Sequence, residues 1–164
     1  MTKILLSLHV LAAIVAVGPV TVAASMFPAA ARRVPVAAAV GGADGAGAGD
    51  AGGVGTVRLL HRICRVYAGL GIAVPVLGFA TAVAMGVLSD AWLVASITLT
   101  AVAAGLLAAF VLPRQEELLE ELADGRPVER ARTARLAVFT GVFNLLWATV
   151  TVLMIVRPGS TTGA

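Results

Sequence analysis

An imidazole at His9 and thioethers at Met85 and Met154 are the side chains of this chain best suited to soft-metal chemistry. Nitrogen and sulfur donors of this kind suit Cu(I), and His with Met is also an axial pair for haem iron. At 1.5 Å of rise per residue, His9 lies about 8 Å inside the first apolar run of the sequence. Met85 and Met154 fall near the same level when counted from the ends of their own runs. His9, Met85 and Met154 are therefore candidate ligands for haem or copper. The plainer reading of His9 is a buried imidazole bonded to a hydroxyl or carbonyl of a neighbouring helix, and that of the two Met residues is gap-filling. His61 lies about a membrane thickness away and cannot join them. The single cysteine, Cys64, can form no intrachain disulfide, and no second Cys completes a CxxC or zinc pattern.

What must position these residues is a set of apolar runs. The chain has 164 residues, of which 59% are apolar and 13% charged, with a mean hydropathy of +0.97. Average globular composition is about 45 to 50% apolar and 25% charged, so a soluble enzyme is excluded. A spanning helix needs about 20 mainly apolar residues, and residues 4–27, 66–88, 91–112 and 136–156 meet that length without an Asp, Glu, Lys or Arg. Only Ser89 and Asp90 separate the second run from the third, which forces a tight helical hairpin. The expected fold is an all-α, integral membrane, four-helix antiparallel bundle.

Basic residues set the orientation, because Lys and Arg in short loops stay in the cytoplasm. Of the twelve basic residues, Lys3 and Arg157 fall at one face and all the others at the opposite face. Both termini are therefore expected outside, in a bacterial inner membrane. Val22-Ala23-Ala24 resembles a signal-peptide cleavage site, but the apolar stretch before it is too long, and cleavage would strand the arginines on the outer face. The first run is read as uncleaved.

Residues 41–53 are almost entirely Gly and Ala, which predicts a flexible linker. No strand precedes these glycines and no GK[ST] follows, so they are not a phosphate loop. Beyond them Arg58, His61, Arg62 and Arg65 recur at helical spacing, which predicts one basic stripe at the membrane surface. Arg58, Arg62 and Arg65 are its candidate anchors for anionic lipid head groups. Residues 114–135 carry Glu116, Glu117, Glu120 and Glu121 on one arm and Arg126, Arg130, Arg132 and Arg135 on the other, with Asp124-Gly125 and Pro127 to turn the chain. A charged cytoplasmic helical hairpin is expected there.

Inside the runs, polar groups are few: His9, Asn144 and scattered hydroxyls. The absence of an intramembrane carboxylate argues against proton-coupled export. Gly78, Ala82 and Gly86, and Ala101, Gly105 and Ala109, form small-residue stripes suited to close helix packing. Pro19 and Pro75 are expected to kink the first and second helices. Trp92 and Tyr67 suit an interfacial belt. Phe139, Phe143 and Trp147 form an aromatic stripe on the fourth helix.

The opening Leu8-His9-Val10-Leu11-Ala12-Ala13-Ile14-Val15-Ala16-Val17-Gly18-Pro19 and the ending Met154-Ile155-Val156-Arg157-Pro158-Gly159 resemble an uncharacterised bacterial family of small four-helix integral membrane proteins. That opening is loosely similar to the membrane domain of copper-resistance protein D and to the haem-binding protoporphyrinogen oxidase of four-helix type. The resemblance carries over His9 alone as a ligand. Ala16 and Pro19 stand where those relatives carry a Trp and part of a Gly-Gly pair, and the oxidase's Phe-Tyr-Leu-Pro-Arg continuation is missing. A structural or accessory membrane component is the reading the sequence favours, with a haem- or copper-binding protein using His9 second and a small permease third. Expected partners are anionic lipids and another membrane protein or a second copy of the chain, with no nucleic acid.

Overall fold

The computed structural model describes residues 2–34 and 51–159, and every regular element among them is helical. In chain order these are α1 (Thr2–Arg32), α2 (Ala51–Leu70), α3 (Ala73–Met85), α4 (Ala91–Leu106), a π-helical turn (Leu107–Val111), α5 (Leu112–Ala123) and α6 (Arg130–Val156). They join end to end into four rods, Thr2–Arg32, Gly53–Met85, Ala91–Ala123 and Arg130–Val156, each long and apolar enough to cross a membrane.

The rods differ from the expected runs at their ends. Residues 51–53, expected to close the linker, already belong to α2, while residues 41–50 lie outside the described residues. Helix α3 stops at Met85, short of residue 88, because Gly86 takes a left-handed φ of 70° and its N–H caps the Ala82 and Val83 carbonyls. Glycine enters this region at no steric cost. The second and third rods are thus joined by residues 86–90 rather than by a two-residue turn.

Proline acts differently in α1 and in α3. Helix α1 runs unbroken through Pro19 and Pro28. Pro75 has no N–H to offer the Gly71 carbonyl, and the break falls at that orphaned end. Gly71 accepts instead from the Val74 N–H at 3.1 Å, and the Ile72 N–H turns to Gly69 at 3.2 Å.

Packing is strongly uneven along the rods. Burial inside the protein covers only 17 to 22% of each rod's most apolar stretch. Large apolar side chains such as Ile14, Val76, Leu145 and Ile155 stand exposed. By contrast Phe27, Val57, Cys64, Val111, Gln115, Leu118, Thr133 and Leu136 are fully enclosed toward the arginine-rich end, against Ser96 and Val150 among the large enclosed side chains elsewhere. In a bilayer an apolar helix can be apolar all round, whereas a helix leaving the bilayer must turn its apolar stripe inward. Helices α2 and α5 are the amphipathic ones, and their inward stripes meet the end of α1 and the start of α6 to form this core.

Contacts along α1 fix the relative direction of the first two rods. A side chain at Gly53 would meet Val34, and one at Gly78 would meet His9, so contact order reverses between them. Across the α5–α6 turn, Arg132 pairs with Glu117 at 2.7 Å and also with Glu121, and Arg126 pairs with Asp124 at 2.8 Å. The acidic arm therefore lies against the basic one.

Candidate functional site

His9 is buried between α1 and α3, with Nδ1 3.0 Å from the Val74 carbonyl oxygen. A carbonyl can only accept, so Nδ1 carries the proton of this bond. The ring fits because position 78 lacks a side chain: a Cβ there would come within 2.8 Å of His9 Cε1. Gly78 thus accommodates the imidazole, one contact of the small-residue stripe that the sequence assigned to helix packing.

Met85 ends α3, seven residues beyond Gly78, which is about 10 Å of helical rise. Met154 packs against the small far-end cluster of Ala82, Trp92 and Leu93. That end is held by a latch. The Trp92 indole N–H donates to Asp90 at 3.0 Å, the Arg157 guanidinium lies 5.7 Å from the Trp92 ring centre, and Arg157 Nε donates to the Met154 carbonyl at 3.4 Å. Arg157 closes α6 with a positive φ of 44°, its N–H bonded to Leu153.

At the arginine-rich end the structure corrects the expected basic stripe. Arg58, Arg62 and Arg65 are exposed, but His61 is buried at 9% exposure. Residue 61 is four beyond Val57 and three before Cys64, both enclosed, so it shares their inward line rather than that of the arginines. His61 Nδ1 lies 3.2 Å from Gln115 Oε1, and the Gln115 amide nitrogen reaches Cys64 Sγ at 3.7 Å. This buried His–Gln–Cys chain linking α2 to α5 was not expected. Its sequence signal is Gln115 between Arg114 and Glu116, at the position where the inward stripe of α5 begins.

Asn144 faces α1. Its amide nitrogen donates to Ser25 Oγ at 3.0 Å, and Ser25 donates in turn to the Thr21 carbonyl at 2.6 Å. Among the described residues, Thr140 Oγ1 and Asn144 Oδ1 are buried without a hydrogen-bond partner. The expected aromatic stripe is divided between two settings. Phe139 stacks on Phe110 at 5.2 Å and lies under the Arg114 guanidinium, whereas Phe143 and Trp147 meet edge to face at 6.4 Å.

Trp147 and Phe143 form one wall of an apolar cavity of about 140 Å³ between the rods. Tyr67, placed at the interface by sequence, lines the same cavity. Among the described residues no group of three or more His, Cys, Asp or Glu side chains could hold a metal ion. No family model, curated protein or solved structure matches the chain.

Proposed function

We propose that this multi-pass membrane protein is a structural or accessory component of a bacterial inner membrane, with both termini outside and its arginine-rich end in the cytoplasm. The observation that carries this reading is the division between rods sheathed in exposed apolar side chains and a polar-faced, enclosed core at the arginine-rich end. Lipid suits the first surface and water the second. Exposed Arg58, Arg62 and Arg65 sit where such a core would leave the bilayer, and they anchor it to anionic head groups. The reading is tested by purifying the chain under mild detergent after in-cell crosslinking. An accessory component is recovered in a complex larger than one chain; a chain recovered only singly that moves solute across vesicles overturns it.

A second reading, a haem- or copper-binding protein using His9, is favoured by one detail. Ligating histidines usually donate their other ring N–H to a carbonyl or carboxylate, which is the bond Nδ1 makes to Val74. The loose resemblance to copper-resistance protein D points the same way. Oxidised and reduced absorption spectra with metal analysis of the protein and of His9→Ala test it: a Soret band or bound copper lost in the variant supports it, and a flat, metal-free protein contradicts it.

A further inference from the structure

Two of the four rods depart from regular α-helix around one cavity, and a third sets a proline beside it. Val17 and Val20 line it beside Pro19, which withholds a backbone N–H from α1. Ala68 and Pro75 line it at the α2–α3 break, and Leu107, the first residue of the π-helical turn, lines it from the third rod. Aromatic rings from the fourth, Phe143 and Trp147, close the remaining side. Irregular backbone at membrane depth occurs where it is buried in protein or borders a cavity, and single π-helical turns frequently mark functional sites. Their convergence on one space is a second, independent sign beside the cavity itself.

We infer that this cavity is an intramembrane binding site for a small neutral alcohol about the size of a single six-membered ring. The size follows from its volume of about 140 Å³, since an engineered apolar cavity of about 150 Å³ accommodates benzene. The neutrality follows from its lining, which includes no charged residue, its polar side chains being those of Tyr67, Thr100 and Trp147. The hydroxyl follows from the helix break. The Ile72 and Val74 N–H groups, which in a continuous helix would serve the Ala68 and Leu70 carbonyls, bond to Gly69 and Gly71 instead. The Ala68 carbonyl is therefore an acceptor without its helical donor, on a residue that lines the wall, and an O–H group supplies one. The site is open rather than enclosed, and among rods sheathed in apolar side chains its ligand enters from lipid. This site stands apart from the accessory role and from His9, neither of which it requires.

The test uses the chain in lipid nanodiscs in a Trp92→Phe background, which leaves Trp147 as the only tryptophan of the two in the sequence. Cyclohexanol and cyclohexane are the probes. Cyclohexanol is expected to shift Trp147 emission saturably, and cyclohexane to bind about three- to tenfold more weakly for want of the hydrogen bond. Ala104→Phe fills the mouth from an exposed position, and Ala68→Leu fills the wall. Each is expected to weaken the apparent affinity about tenfold or more. A linear, unsaturable response, or one unchanged in both filled variants, overturns the site. So does quenching of Trp147 by brominated acyl chains that cyclohexanol fails to relieve, which assigns the space to a lipid tail.

Discussion

His9 Nδ1 donates to the Val74 carbonyl at 3.0 Å across the α1–α3 contact, over a glycine that leaves room for the ring. Hydrogen bond and close approach are one feature, because the ring can reach Val74 only where position 78 has no Cβ.

Gly78→Ala forces the ring away from Val74 and is expected to destabilise the protein by about 1–3 kcal/mol. His9→Ala costs a similar amount by losing the bond and opening a void. Because the two changes spoil one contact, the double variant is less destabilised than the sum of the single ones. Unfolding titrations in mixed detergent micelles measure the cycle; strict additivity would separate the glycine from the histidine.

Gln115 is fully buried and serves both His61 and Cys64. Gln115→Ala leaves the imidazole N–H unpaired in the core and is expected to cost about 1–3 kcal/mol. It also loosens the α2–α5 contact, so that Cys64, fully buried in the folded chain, reacts with maleimide faster than in the parent. Replacing both partners, as His61→Leu with Gln115→Leu, removes the orphan and is milder than Gln115→Ala alone. Cys64 labelling rates and unfolding midpoints check both statements.

Arg132 holds Glu117 and Glu121 together across the α5–α6 turn, with its own side chain 36% exposed. Exposed pairs contribute little, and this one serves two carboxylates, so Arg132→Ala is expected to cost about 0.5–1 kcal/mol, shrinking as salt is added. Arg126→Ala, which removes only the more exposed pair to Asp124, is expected to be silent. Unfolding midpoints at low and high ionic strength separate them.

The apolar rods were legible in the sequence because a run of about 20 apolar residues has few other fates. The Arg132 pairs were legible as opposed charge on two arms of a turn. His61 was not, since helical spacing sets it equally beside Arg58, Arg62 and Arg65 or beside Val57 and Cys64. Only the presence of Gln115 on the facing helix decides between the two lines, and that is a non-local fact. Pro75 announced a distortion of the second helix, but its position followed from the carbonyl it failed to serve at Gly71, one turn earlier. The π-helical turn at Leu107–Val111 contains neither Gly nor Pro, but Pro113 follows it and has no N–H for the Ala109 carbonyl inside the turn, the same kind of signal as Pro75.

Orientation is the most direct test of the proposed membrane role. Fusions of an export-dependent phosphatase and of a cytoplasm-dependent fluorescent protein, placed after Gly45 and after Ala164 in a bacterial host, report it. A phosphatase active only at Ala164 and fluorescence only at Gly45 are the expected results, with the arginine-rich core inside and both termini outside. Fluorescence at Ala164 with phosphatase activity at Gly45 would place that core on the outer face and contradict the proposal.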